Sequence, residues 1–349
     1  MKSLLSVAVL TAMTSGVQAA GTAAGTDINN TASISYSVGG TAQAAIESSP
    51  GGNSVPGAGS ATTFKVDKKV DLLVTADAGP FNVSPSAVNQ SITYVLTNEG
   101  NSTEAFTLTT TGTVALGAGN DFNTTGCSVT SPASPVTLVA DGTTAVTVEC
   151  DIPNSNGGTV SDGKFSLVDL LASANVAAET TGTDTAGTVD IVYADDAGTV
   201  TDSPNGVVSG DQTRNAKHSA TNTYTILAAK LTISKASAVY SDPFNSTTNP
   251  KRIPGAIIRY TITIDNTAGS SDATGLSVSD YIPANMTYAD LATLPDPAPA
   301  ACVADSGGAC VLDPALVIGA SPAAAGISAT GMTVAAGATG TVTFYAKVN

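Results

Sequence analysis

Residues able to perform acid–base or nucleophilic chemistry are scarce in this chain. It contains one histidine, His218, and no tryptophan. A Ser-His-Asp arrangement would need His218 as its base, but His218 lies in the polar run 214–219, which is typical of an exposed connection between strands. Neither Gly-x-Ser-x-Gly nor His-Glu-x-x-His occurs. We therefore expect His218 to be a solvated loop residue, and we predict no catalytic residues and no enzyme activity.

Acidic residues offer a second kind of chemistry, the binding of a hard cation through oxygen ligands. Asp195 and Asp196 are adjacent, and Asp265 and Asp272 lie close together in the second half of the chain. No twelve-residue calcium-loop pattern surrounds them, so the sequence favours a solvated acidic surface. We predict no cofactor, and calcium is the one alternative left open.

The four cysteines fall into two local pairs, Cys127 with Cys150 and Cys302 with Cys310. They form no C-x-x-C pattern and none is near the histidine, which argues against a metal site. In an oxidising compartment such pairs form disulfides. We expect both disulfides, and four buried free thiols are the alternative.

The first nineteen residues have the features of a secretory signal peptide. Lys2 precedes an apolar run at 3–13, and Val17-Gln18-Ala19 fits a cleavage site. No later segment approaches eighteen consecutive apolar residues, so we expect no membrane insertion. A formal net charge of −15 argues against nucleic acid or anionic lipid as a partner, because both require clustered cations. We predict a secreted protein that is extracellular or at the cell surface.

Alternation of apolar and polar residues recurs along the chain at strand length and indicates antiparallel sheets. The runs are Ile34, Tyr36, Val38; Ile92, Tyr94, Leu96; Ile258, Tyr260, Ile262, Ile264; and Val342, Phe344, Ala346, Val348. Residues 165–178 are also predicted as a strand. The pattern predicts an all-β fold of two tandem immunoglobulin-like sandwiches preceded by a β-hairpin. After the signal peptide at 1–19 we expect the hairpin at 20–66 with a Gly/Pro/Ser loop at 39–60, the first sandwich at 67–228 and the second at 229–349.

The second sandwich carries a family resemblance. Its segments are Arg259-Tyr260-Thr261-Ile262-Thr263-Ile264-Asp265-Asn266-Thr267, then Ala273-Thr274-Gly275-Leu276-Ser277-Val278-Ser279-Asp280-Tyr281-Ile282-Pro283, then Met286-Thr287-Tyr288. They resemble the conserved-repeat immunoglobulin-like domain (domain of unknown function 11) of bacterial surface proteins. In the first sandwich only the run at 92–100 is similar. The resemblance implies an extracellular structural or adhesive module and carries over no catalytic residues.

The two ends of the chain differ in an informative way. Residues 31–38 and 61–66 have a counterpart at 187–194 and 220–227, where we expect a hairpin that closes the first sandwich. The second sandwich runs through 341–349 without such a hairpin. Aligning the two sandwiches by sequence places Asn349 near Asn175. The head of the chain thus carries what the second sandwich lacks.

This mismatch predicts strand insertion between copies, in which main-chain hydrogen bonds and alternating side chains hold the added strand. The donor strand would present Ile34, Tyr36 and Val38, and the acceptor edge would comprise Val342, Phe344, Ala346 and Val348. The partner is then the protein itself, as a head-to-tail homopolymer that forms an extracellular filament. Two alternatives remain open: a monomeric surface or adhesive module whose hairpin folds back on its own first sandwich, and an exported ligand-binding protein.

Overall fold

In a computed structural model, residues 21–111, 120–154, 160–184, 187–195, 214–289, 302–304, 317–318 and 326–349 are described. The regular secondary structure in these ranges consists of β-strands alone, which confirms the predicted all-β fold. None of the described residues form a helix that could span a membrane. The predicted signal peptide, residues 1–19, lies outside the described ranges, as do Asp196 and Cys310.

The chain divides into two compact units. The first contains the described parts of Met1–Gly79, Ser91–Cys150 and Leu167–Thr223, and the second those of Pro80–Gln90, Asp151–Ser166 and Tyr224–Asn349.

The N-terminal segment contains six short strands that pair in a nested order. They are β1 Asp27–Asn30, β2 Ser33–Ile34, β3 Ser37–Val38, β4 Thr41–Ala42, β5 Ile46–Glu47 and β6 Thr62–Lys65. The antiparallel pairs are β1 with β6, β2 with β5, and β3 with β4. Residues 27–65 are therefore one long hairpin, which we call the N-terminal hairpin. The predicted loop at 39–60 is wrong in part, because β4 and β5 lie within it.

Eleven strands follow between residues 68 and 226. They are β7 Lys68–Val70, β8 Leu72–Ala76, β9 Phe81–Val83, β10 Gln90–Asn98, β11 Glu104–Thr111, β12 Thr125–Ser131, β13 Val136–Leu138, β14 Thr143–Asp151, β15 Phe165–Ala174, β16 Ile191–Tyr193 and β17 Lys217–Ile226. One sheet has the order β12-β14-β10-β8 and the other β13-β11-β15-β17-β9. We call these two sheets the first sandwich. The strand predicted from residue 165 is confirmed as β15.

The alternating residues of the first sandwich point into its core, as period-two patterns require. Ile92, Tyr94 and Leu96 on β10 are all fully buried. The hydroxyl of Tyr94 donates a hydrogen bond of 2.6 Å to the carbonyl of Val168 on β15. Buried tyrosines need such a partner, and this bond joins the two sheets.

The hairpin predicted to close the first sandwich is not formed. β16 pairs in parallel with β7, whereas β17 lies between β15 and β9 in the larger sheet. The two segments were expected to pair with each other because both alternate, but alternation does not specify the neighbouring strand.

The second sandwich contains eight described strands. They are β18 Thr232–Ser241, β19 Ile257–Asp265, β20 Ala273–Tyr281, β21 Met286–Tyr288, β22 Cys302–Ala304, β23 Val317–Ile318, β24 Gly326–Val334 and β25 Thr339–Val348. One sheet has the order β18-β19-β25-β21 with β22 also on β25, and the other has the order β20-β24-β23. Their core includes Ile262, Ile264, Val278, Met332 and Phe344.

Two buried asparagines show how the sandwiches correspond. The side-chain N–H groups of Asn98 and of Asn266 each donate to three backbone carbonyls. The acceptors are Ser102, Leu138 and Val139 for Asn98, and Ser271, Val334 and Ala335 for Asn266. The backbone N–H of Asn98 donates to Gly142, just before β14, and that of Asn266 donates to Ala338, just before β25.

By this correspondence, β8 is equivalent to β18, β10 to β19, β11 to β20, and β14 to β25. The predicted alignment of Asn349 with Asn175 is therefore wrong, because it made β25 the equivalent of β15. In the first sandwich β15 pairs with the free side of β11 and β17 lies beyond it. The second sandwich has no described strand in either of these two positions.

Candidate assembly site

His218 lies inside the first sandwich and not in a solvated loop. The residue is 1% exposed on β17, and its Nδ1 accepts a hydrogen bond of 3.1 Å from the backbone N–H of Val74. The prediction of an exposed connection is wrong because the connection ends at Ala216 and His218 already belongs to the strand. In this position its imidazole serves as an acceptor for a buried backbone group.

The acidic residues considered for calcium hold turns. Both carboxylate oxygens of the buried Asp195 accept backbone N–H groups, one from Asn215 and one from Ala216. Asp272 accepts the N–H of Ala336 at 2.9 Å. Hydrogen bonds from the side chain and backbone of Thr267 lower the pKa of Asp265. These carboxylates therefore have structural partners in the turns that follow the strands.

A different acidic group, which the sequence did not single out, lies beside β7. Carboxylate oxygens of Asp67, Asp184 and Asp190 are within 4.8 Å of one another. Asp67 also accepts the backbone N–H of Asp190 at 2.9 Å. Asp67 is far from Asp184 and Asp190 in sequence, so only the folded chain brings all three together.

One predicted disulfide is confirmed. Cys127 on β12 and Cys150 on β14 are joined by an S–S bond of 2.05 Å, which links two neighbouring strands. The second predicted pair stays a prediction, since Cys310 and the side chain of Cys302 lie outside what is described.

The predicted donor residues lie on the first arm of the N-terminal hairpin, before its turn, and face solvent. Ile34 is 61% exposed, Tyr36 44% and Val38 62%. On the return arm Phe64 is 54% exposed, opposite Ile28 in the register. Large apolar side chains concentrated on one short element are typical of an interaction surface.

The base of this hairpin is fixed to the first sandwich. The side-chain N–H groups of Asn101 donate to the carbonyls of Thr22 and Asp67, and its Oδ1 accepts the N–H of Lys69. An ion pair of 2.7 Å between Lys65 and Asp27 joins the two arms. Beyond this base, every described strand pairing of the hairpin is between its own arms.

The predicted acceptor edge is wrong. β25 pairs with β19 along one side and with β21 and β22 along the other, so it is an inner strand. Val342, Phe344 and Ala346 are buried, and Val348 is opposite Met286 in the register. The three-residue strands β21 and β22 cover this edge, and strands of that length carry no detectable alternation.

Two edge strands of the second sandwich, β18 and β20, lie at the ends of its two sheets. In the described structure β18 pairs only with β19, and β20 only with β24. An apolar groove of about 210 Å³ lies between the two edges. It is lined by Leu231, Thr232, Ile233, Ile264, Leu276, Ser277 and Val278. We call this groove and its two edge strands the open side.

The equivalent side of the first sandwich is closed. Val74 pairs with Leu96 and Ile233 pairs with Ile264, and both partners lie two residues before the equivalent asparagines. Val74 is 1% exposed, whereas Ile233 is 69% exposed. Two residues earlier, Leu72 is 1% exposed and Leu231 is 42% exposed. In the first sandwich the backbone N–H of Val74 donates to Nδ1 of His218 on β17, and the second sandwich has no described strand in the place of β17.

No protein-family model matches the chain, and no curated protein matches it, so its resemblance to the conserved-repeat domain stays a prediction. Among solved structures, it is similar to the secreted serine protease VesC from Vibrio cholerae, with 9% identity and a TM-score of 0.25 over 80% of this chain and 47% of that one. It is also similar to a protein described as membrane-anchored from Corynebacterium diphtheriae, with 10% identity and a TM-score of 0.19 over 84% of this chain and 54% of that one. The chain thus spans about half the length of these structures.

Proposed function

We propose that this protein is a non-enzymatic, exported structural subunit that polymerises head to tail into an extracellular filament. The N-terminal strand of one copy inserts into the second sandwich of the next copy. The observation that carries the proposal is the exposure of Ile233, at a position where its counterpart Val74 is fully buried. Among the described residues, one copy therefore presents both a hairpin with exposed apolar side chains and a sandwich side that no strand covers.

Physical chemistry supports this proposal. Exposed apolar side chains and unpaired strand edges are aggregation liabilities, and proteins keep them where a partner covers them. Strand addition removes both liabilities at once, because the backbone groups of the edge become paired and alternate apolar side chains become buried. Because donor and acceptor are different surfaces, the contact is heterologous and propagates along a filament unless it closes into a ring.

The alternative in which the hairpin folds back on its own first sandwich has less support. In that arrangement β2 or β3 would extend a sheet of the first sandwich. The described pairings of both strands are within the hairpin, and Ile34 and Val38 remain exposed.

The experiment compares Ile34→Asp/Tyr36→Asp with the unmodified chain by sedimentation velocity. Charges at these positions would have to enter an apolar groove, so we expect the double variant to remain monomeric. Val55→Asp is the matched control, because Val55 is 57% exposed in the same hairpin but outside the donor strand. Assembly of the double variant at the unmodified rate would contradict strand insertion.

A further inference from the structure

We infer that the acceptor in this assembly is the open side between β18 and β20, and that its occupant is the N-terminal hairpin of a second copy, including Phe64. The inference rests on the proposed function and adds where the donor binds and which side chains it contributes. The strand that fills this place would meet Leu231, Ile233 and Leu276, which line the groove.

The first sandwich indicates what the open side lacks. There β15 forms hydrogen bonds with the edge of β11, with Leu108 opposite Ala172, and β17 lies beyond β15. β20 is the equivalent of β11, and Val278 takes the place of Leu108 after a β-bulge between Ala273 and Leu276. An added strand therefore has a backbone edge on β20 to pair with and an apolar floor to cover.

The N-terminal hairpin carries sequence that matches β17, the strand beyond β15 in the first sandwich. Ala61-Thr62-Thr63-Phe64-Lys65-Val66 is similar to the β17 segment Ala220-Thr221-Asn222-Thr223-Tyr224-Thr225-Ile226, with Phe64 in the place of Tyr224. Tyr224 is fully buried, whereas Phe64 is 54% exposed. The hairpin thus exposes the counterpart of a core residue, and the open side exposes the counterpart of Val74.

The spacing and chemistry of the donor residues also fit the groove of the open side. Ile34, Tyr36 and Val38 repeat every second residue, which is the period of side chains on one face of a strand. The groove is lined mainly by aliphatic side chains, and it lies between two strands that are sheet edges in the described part of the chain. A second copy of this chain supplies a donor of matching period with no charged residue between 28 and 38.

The test combines two full-length variants that are defective at opposite ends. Ile233→Asp places a charge in the open side but leaves the hairpin intact. The triple variant Ile34→Asp/Tyr36→Asp/Phe64→Asp places charges in the hairpin but leaves the open side intact. Ile233 is largely exposed, so its replacement leaves the folded core unchanged. Phe244→Asp is the matched control, because Phe244 is 84% exposed in the second unit but does not line the groove.

We expect each defective variant alone to be monomeric by light scattering, and Phe244→Asp to assemble like the unmodified chain. An equimolar mixture of the two defective variants should form a dimer with one copy of each and go no further, because only one competent donor and one competent acceptor remain. If the unmodified chain forms filaments and Ile233→Asp does too, the acceptor assignment is overturned while the proposed function stands. If the unmodified chain stays monomeric, both are overturned.

Discussion

Lys235 and Asp280 form an ion pair across the open side of the second sandwich, with their charged atoms 2.5 Å apart. Lys235 lies on the inner face of β18, opposite Ile262, and its Nζ is 4.7 Å from the centre of the Tyr260 ring. The equivalent position in the first sandwich is Ala76 on β8. A charged side chain pointing inward from an edge strand hinders indiscriminate strand pairing. In the proposed assembly, this ion pair would be a barrier that a donor strand must displace.

Replacing Lys235 with alanine should make assembly easier. A partly exposed ion pair contributes about 0.2–1 kcal/mol, so the critical concentration for assembly should fall by up to about fivefold. Pelleting assays over a concentration series measure this critical concentration. Lys347→Ala is the matched control, because Lys347 is an exposed lysine on the same sheet. Equal effects of both substitutions would show that net charge, and not the ion pair, governs the threshold.

Loss of the Cys127–Cys150 disulfide should weaken the first sandwich. Loop closure predicts a decrease of about 3.4 kcal/mol in the free energy of unfolding for a ring of about 24 residues. Urea denaturation of Cys127→Ala/Cys150→Ala, followed by tyrosine fluorescence, measures this change. A decrease below about 1 kcal/mol would contradict a stabilising role. Adding a reductant to the unmodified protein should reproduce the shift.

Asn266→Ala should destabilise the second sandwich. The side chain is fully buried, donates to three carbonyls, and accepts the backbone N–H of Lys230 at 2.9 Å. Leaving buried polar groups without partners costs about 1–3 kcal/mol, and we expect the upper end of this range because several groups are affected. Asn285→Ala, at an exposed turn position, serves as the control with a change within about 0.5 kcal/mol. Equal melting temperatures for the two variants would refute the role of Asn266.

The turn that begins at Asp242 should make stability sensitive to acid. Burial by itself raises the pKa of Asp242, but hydrogen bonds from Asn245, Lys251 and Phe244 outweigh it and lower the pKa from 3.8 to about 2. Because the folded pKa is lower than the unfolded one, the stabilisation is present above pH 3.8 and is lost as the pH falls towards 2. Melting curves between pH 5 and 2 should therefore fall more steeply for the unmodified chain than for Asp242→Asn. Parallel curves would contradict the assignment.

The alternation of apolar residues was sufficient to predict an all-β chain, because a half-buried strand requires it. β10 and β19 were predicted in this way, and Asn98 at the end of β10 and Asn266 just after β19 hold equivalent turns. Strand neighbours were not predictable from the same signal. β25 alternates like an edge strand, but short β21 and β22 cover it, and nothing in their three residues indicates pairing.

The open side can be recognised only from the three-dimensional correspondence of the two sandwiches. Sequence alignment matched β25 with β15, and both strands are ten residues long. The hydrogen bonds of Asn98 and Asn266 correct this match and move the open edge from β25 to β18 and β20. His218 was wrongly predicted to lie in an exposed loop because its sequence neighbours are polar, although its side chain points inward.

In the proposed assembly, the N-terminal hairpin of one copy completes the second sandwich of another. Negative-stain electron microscopy of residues 20–349 beside a version that begins at Asp67 tests it most directly. We predict filaments from the longer chain and isolated particles from the shorter one. Isolated particles in both samples, or filaments in both, would contradict the account.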